Sequence, residues 1–278
     1  MHQPKPGDEL ESIEMQLLLE AVARHYGFDF RNYSPASLKR RIADFVKAEQ
    51  LTTVSGLQEK VLHDRGCMER MLLALSVNVS AMFRDPGFFC VFREQVVPWL
   101  RTYPFIRIWC AGCSTGEEVY SLAILLQEEG LYDRCRIYAT DMNEAVLQKA
   151  KEGLFPLALM REYTTNYVNA GSQRSFSDYY AAACDHAMFR PSLKKNVVFA
   201  QHNLVTDGAF NQFNVIWCRN VLIYFNASLQ ARVHRLLYES LIPFGLLCLG
   251  RKESLRFTPH EKDYEALASD EKIYRRMR

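Results

Sequence analysis

Five residue types that could do chemistry, Cys, Ser, Thr, Glu and Tyr, crowd into one short stretch, IWCAGCSTGEEVYSLA at 108–123. Cys110 and Cys113 form a C-x-x-C, the spacing of a redox pair or of half a zinc site. The same stretch closes an apolar run, passes through Gly112, Ser114 and Gly116, and enters the acidic pair Glu117 and Glu118, a composition suited to a loop that wraps a nucleotide-like cofactor. Zinc would need two more Cys or His ligands at comparable spacing, and the sequence has no second C-x-x-C and no H-x3-H. A thioredoxin-type pair would open a helix, whereas the helical pattern here starts only after Gly116. The expectation is therefore no metal, with the cysteines acting as small buried hydrophobes.

The glycines point to a crevice in which a ligand approaches bare backbone between a strand end and the next helix. The spacing matches neither G-x-G-x-x-G nor a phosphate-binding loop followed by Lys-Ser/Thr, which argues against a pyrophosphate. Glu117 and Glu118 at the helix start instead suit a ligand that carries positive charge. Asp141, closing the run RIYATD, is placed to accept both hydroxyls of a ribose. Taken singly, Glu117 reads as a helix-start acid and Asp141 as a turn acid. In this order on adjacent units they read as a site for a ribosylated cation without phosphate, S-adenosylmethionine.

These residues must be held by a fold, and the chain is long enough to supply one. It has 278 residues, 49% hydrophobic and 24% charged, ordinary for a soluble globular protein. The 34 basic and 32 acidic residues leave a net charge of +2, so nothing marks a polyanion partner and nucleic acid is not expected. The N-terminal MHQPKPGDEL lacks an apolar signal core, and runs such as MLLALSV (71–77) are too short to span a bilayer, so a cytoplasmic protein without membrane insertion is expected. The eight cysteines are scattered, unlike a disulfide scaffold.

The pattern from 11 to 76 is helical, with Leu38, Ile42, Phe45 and Val46 forming one apolar stripe behind Ser34-Pro35. From 105 onward β-rich runs alternate with amphipathic helices, which predicts an α/β fold with a Rossmann-like parallel sheet. The alternation breaks at about 154–195, where short strands and turns suggest an inserted β-subdomain, and then resumes with VVFAQHNL and FNVIWCRN. Asn226 reads as a helix cap, and Pro243 with Gly245 as the end of that helix. The expected organisation is an all-α N-terminal domain at 1–76, a linker at 77–104, and an α/β domain at 105–278.

The segments NVSAMFRDPGFF (78–89), IWCAGCSTGEEVYSLA, YATDMNEAVLQKA (138–150), QHNL (201–204) and CRNVLIYF (218–225) occur in an order and spacing that resemble the CheR-type chemoreceptor methyltransferases over nearly the whole chain. The resemblance implies methyl esterification of glutamate side chains on the cytoplasmic helices of methyl-accepting receptors, by a monomer. It implies a cofactor set of Asn78, Ser80, Arg84, Glu117, Asp141, Asn203, Leu204, Arg219 and Asn220, with Ala111, Gly112 and Met142 beside them, and Arg84 and Tyr224 as the pair next to the reacting methyl. Two departures stand out: Ser80 where the family has Thr, and GRKESL (250–255) where it has a GHSESL-like segment, so that Arg251 and Lys252 add charge near a strand end. A carboxylate acceptor with an ordinary pKa of about 4.3 is already ionised at neutral pH and needs no general base. His202 accordingly reads as structural. The helix that carries Lys39, Arg40, Arg41 and Lys47 presents a basic outer face that could steer an acidic substrate. The alternatives are a cofactor-binding regulatory module and a methyltransferase with another protein or small-molecule acceptor.

Overall fold

The computed structural model describes residues 6–76 and 80–278, and the chain divides into two compact units, Met1–Val77 with Tyr224–Arg232, and Asn78–Ile223 with Val233–Arg278. The first unit holds α1 (Pro6–Tyr26), α2 (Pro35–Ala48), α3 (Val54–His63) and α4 (Arg65–Leu75). Pro35 sits in the first turn of α2, where a missing N–H costs nothing, and the stripe Leu38, Ile42, Phe45 and Val46 is buried. Side-chain caps start the next two helices: Thr53 accepts the Gly56 N–H at 3.0 Å, and Asp64 accepts that of Gly66 at 2.8 Å. Just past α2, Glu49 accepts from Arg70 and Lys60 at 2.7 Å each, and these hydrogen bonds, Arg70 first, pull its carboxyl down to about 2. The segment 224–232 completes this unit through backbone. The Ser34 N–H donates to the Tyr224 carbonyl at 2.8 Å, the Asn226 N–H to that of Asn32 at 2.9 Å, and Tyr33 bridges Phe225.

The second unit opens with α5 (Pro86–Val91), a π-helical turn at Phe92–Val96, and α6 (Val97–Leu100). Then follow β1 (Ile106–Ala111), α7 (Glu117–Glu128), β2 (Cys135–Asp141), α8 (Glu144–Glu152), β3 (Leu154–Pro156), α9 (Met160–Asn169), β4 (Tyr180–Ala183) and β5 (His186–Phe189). The chain closes with β6 (Val197–Gln201), β7 (Phe213–Cys218), α10 (Ala227–Glu239), β8 (Leu241–Leu249), β9 (Tyr264–Ala268) and β10 (Ile273–Arg276). One sheet has the order β6-β2-β1-β7-β8-β10-β9. Its pairs from β6 to β8 are parallel, and β10 runs antiparallel to both β8 and β9. β7 is buried at every position, as a central strand covered on both faces must be. A small antiparallel sheet, β3-β5-β4, lies within the 154–195 stretch.

Three features differ from the sequence reading. The stretch expected as a linker is largely helical from Pro86 to Leu100, and Phe83, Phe88, Phe89 and Phe92 are fully buried in the core of the second unit. The insertion contains a helix, α9, in addition to its strands. Pro243 and Gly245 lie inside β8 and do not end α10. The β7–β8 ladder jumps from Phe213↔Leu241 to Val215↔Leu246, and this irregularity takes Pro243 out of the hydrogen-bonded register.

His234 on α10 is 1% exposed, and burial pushes its pKa down to about 4, only partly opposed by a hydrogen bond to the Ser254 backbone. The unfolded imidazole, near 6.5, binds a proton that the folded one refuses, so this stability is present above pH 6.5 and is lost as pH falls toward 4. Unfolding free energy should drop by about 2 kcal/mol between pH 7 and pH 5 through this group alone. A His234→Leu variant followed by urea unfolding at both pH values should show a drop smaller by that amount; an identical drop in variant and parent would remove His234 as the cause.

Candidate functional site

Because β6, β2, β1, β7 and β8 run parallel, the loops that follow their C-terminal ends share one edge of the sheet. The loop after β1 is sewn to the end of β2: the Gly112 and Cys113 N–H groups donate to the Thr140 carbonyl at 2.8 and 2.9 Å. Gly112 has φ +71°, and a Cβ there would sit 2.6 Å from a Val221 methyl, so no other residue fits between this loop and the one after β7. Ala111, the last residue of β1, is buried behind it. Cys110 and Cys113 are buried free thiols whose pKa values burial raises well above the ordinary range. Such thiols are poor nucleophiles, and no cluster of metal-ligating side chains occurs among the described residues.

Two carboxylates face this crevice in different states. Glu117, the first residue of α7, is 7% exposed, accepts from the Thr115 hydroxyl at 2.7 Å and from the Ser80 hydroxyl, and has no cation within ion-pair distance among the described residues. Burial raises its pKa, and the hydroxyl bonds partly oppose that. Asp141 is held by backbone, accepting from Ser114 N–H at 2.9 Å through Oδ2 and from Asn143 N–H at 3.0 Å through Oδ1. The Met142 N–H is a third backbone donor to this carboxylate, which leaves at least one of its four lone-pair sites for a further donor. Glu118, the other member of the acidic pair, is instead neutralised inside the protein by Arg219.

Arg219 itself, with a side chain only 1% exposed, pairs with Glu118 and with Asp85 at 2.8 Å, stacks 4.1 Å from the Phe88 ring, and donates to the Arg84 carbonyl. Its guanidinium therefore ties the loop after β7 to the segment carrying Arg84. Arg84 is half-buried and lies close enough to Glu118 to favour its ionised form. Phe83, Asp85, Ser114 and Asn220 all adopt left-handed backbone, a cluster of strained residues around one crevice.

The loop after β7 is held by a residue that sequence reasoning passed over. Glu253, 4% exposed, accepts the N–H groups of Asn220 (3.0 Å), Val221 (2.8 Å), Leu222 (2.7 Å) and Gly250 (2.5 Å). A Cβ on Gly250 would meet the Asn220 backbone nitrogen at 2.8 Å, so only glycine lets the two loops close on each other. The signal lay inside GRKESL, where attention to the added charges hid the shared glutamate. Asn220 Oδ1 is buried without a partner among the described residues, an acceptor left for a ligand donor.

Of the other expected site residues, Asn78 lies outside the described residues. Asn203 and Leu204 are buried after β6, with Asn203 Oδ1 accepting the Val205 N–H at 3.0 Å and its own N–H given to Asp207. Met142 is half-exposed and its carbonyl accepts from Gln201. His202 packs edge-on to Trp109 and bonds the Gly208 carbonyl at 3.0 Å, a structural placement. Tyr224 belongs to the first unit, where the Arg41 guanidinium lies 5.4 Å from its ring centre. Arg41 turns inward to the Leu75 carbonyl at 2.6 Å, and Lys39 pairs with Glu11 at 2.8 Å. Arg40 and Lys47 are exposed.

Comparison with known proteins bears on this geometry. The CheR methyltransferase SAM binding domain matches residues 78–273, and the CheR methyltransferase all-alpha domain matches residues 13–76. A Pseudomonas putida protein named "Putative methyltransferase Cher3" is 51% identical, covering 95% of this chain and 97% of that one. A chemotaxis protein methyltransferase of Listeria innocua is 31% identical over 84% of this chain and 87% of its own. Among solved structures, a glycopeptide N-methyltransferase complexed with sinefungin aligns with TM-score 0.37 at 10% identity, covering 62% of this chain and 50% of that one.

Proposed function

The chain belongs to the CheR methyltransferase family, an S-adenosylmethionine-binding family, and on that premise we propose that it esterifies glutamate side chains of methyl-accepting signalling proteins. The observation that carries the cofactor part is Glu117, a buried carboxylate with no cation within ion-pair distance among the described residues, in a crevice whose other acid, Asp141, is held in place by backbone N–H groups. A cationic, ribose-bearing ligand suits both. The relatives named chemotaxis protein methyltransferase support the carboxylate acceptor.

S-adenosylmethionine, when bound, supplies an electrophilic methyl group on a sulfonium. The protein's part is to bind, align and dry. Glu117 meets the cationic amino-acid end and Asp141 the ribose hydroxyls, while Asn220 Oδ1 offers an acceptor. In this reading Arg84 holds one oxygen of the incoming carboxylate in line, and Tyr224 orients it with a single hydrogen bond. The acceptor is ionised at neutral pH, so no side chain needs to take its proton. Attack disperses opposite charges, which puts the weight of catalysis on alignment and exclusion of water.

The test is base-released methanol, collected by vapour diffusion after incubation with methyl-labelled cofactor and a receptor fragment. Volatile label is expected. Label that stays in protein or in a small molecule would assign another acceptor, and no transfer despite cofactor binding would favour a regulatory module. In the same assay Tyr224→Phe and Arg84→Ala should each lower turnover about tenfold or more while the unfolding midpoint stays put. Parent-like turnover in both would remove this pair from the reaction.

A further inference from the structure

In the second unit a cleft of about 670 Å3 lies between the segment that follows β8 and the β9–β10 hairpin. Four cations line it, Arg251, Lys252, Arg256 and Lys272, against two carboxylates, Glu253 and Glu261. Both carboxylates are occupied: Glu253 by the amides described above, Glu261 by the Phe257 N–H at 2.9 Å. Arg251 pairs with Glu271 at 2.6 Å. Among the described residues, Lys252, Arg256 and Lys272 have no carboxylate within ion-pair distance, so the cleft lining carries an excess of positive charge. The Tyr264 hydroxyl, also in the lining, is buried without a partner among the described residues.

Backbone strain marks the same place. Lys272 and Phe257 both adopt left-handed backbone, at φ +58° and +64°. Glycine or asparagine fills such positions at less cost, so a lysine and a phenylalanine there are held against a steric penalty. Phe257 follows the lining residue Arg256 and is 97% exposed, the most exposed large hydrophobic side chain among the described residues. An exposed phenyl ring beside a cationic cleft offers little to a free phosphate. It is what a polypeptide partner buries as an anchor, with charge contacts around it.

The cleft also adjoins the methyl-transfer loops. Glu253 belongs to its lining and holds Asn220 to Leu222, and the Arg251–Glu271 pair lies against Gly87, whose Cβ would come within 2.8 Å of Glu271. Gly87 is three residues from Arg84. We propose that this cleft docks an acidic polypeptide segment, the one that flanks the glutamate to be methylated, with Lys252, Arg256 and Lys272 meeting its carboxylates and Phe257 its apolar face. This rests on the methyl-acceptor reading above.

The test uses the full chain with saturating S-adenosylhomocysteine and a fluorescein-labelled, glutamate-rich helical peptide, alongside its all-glutamine counterpart, read by anisotropy. The parent should bind the glutamate peptide, more weakly as salt rises, and should not bind the glutamine one. A combined Lys252→Gln, Arg256→Gln, Lys272→Gly variant, in which glycine takes the left-handed position without strain, should lose about tenfold or more in peptide affinity and keep that for S-adenosylhomocysteine. Phe257→Ala alone should weaken binding about threefold or more. Equal peptide affinity in parent and triple variant overturns the proposal, as does single-stranded DNA binding the parent as tightly as the peptide does. Peptide binding is read without turnover, so a cleft that binds in a protein releasing no methanol separates failure of the acceptor reading from failure of this one.

Discussion

Glu253→Ala lowers the free energy of unfolding by about 3 to 5 kcal/mol, the cost expected when one partner of a buried, fully hydrogen-bonded charge network is removed. Four backbone N–H groups lose their acceptor at once, three of them in the loop after β7 and one at Gly250. Glu253→Gln retains one acceptor oxygen of the same shape and should lose less. Both should also bind S-adenosylhomocysteine more weakly, because Val221 shapes the crevice against Gly112. Urea unfolding measures the first effect. An alanine variant within about 1 kcal/mol of the parent, the range of ordinary surface changes, would show that the loop holds itself without the carboxylate.

Asp141→Ala weakens binding of S-adenosylhomocysteine by about 1.5 to 3 kcal/mol, roughly ten- to over a hundredfold, through the loss of charged hydrogen bonds to two hydroxyls. Part of that loss comes through the protein, since Asp141 also accepts the Ser114 and Asn143 N–H groups. Asp141→Asn separates the two contributions: its one carbonyl oxygen can serve backbone or ribose but not the full set, so it should fall between parent and alanine. Calorimetric titration of all three decides the matter. An affinity unchanged by alanine would place the ribose elsewhere.

What the sequence disclosed depended on how local the physics was. The α2 stripe, the Gly112 turn and Asp141 at a strand end each carry a local signal, which periodicity or turn chemistry exposes. Glu253 is fixed by amides some 30 residues upstream, which no spacing rule reveals. The 80–104 stretch was masked by its prolines. Pro86 stands at a helix start, where it is harmless, and Pro98 follows a π-helical turn that breaks the usual bonding pattern. Pro243 misled in the opposite direction, because a ladder irregularity lets a strand keep a proline that pattern reasoning assigns to a terminator. Glu117 and Glu118 looked equivalent as a pair. The packing of Arg219, a hundred residues away, neutralises Glu118 and leaves Glu117 without a cation within ion-pair distance among the described residues.

The backbone pairing of residues 32–34 with 224–226 sets an order of events during synthesis. Asn32 and Asn226 meet across 194 positions of chain, so the helical unit waits for its closing segment until β7 has already been made. At about 5 to 20 residues per second, translation leaves the four helices to persist for roughly ten seconds or more without that partner. Closing so long a loop is entropically slow but not prohibitive, since the cost grows only logarithmically with length. The N-terminal unit is thus finished late, by a piece of chain translated after the sheet has begun to form.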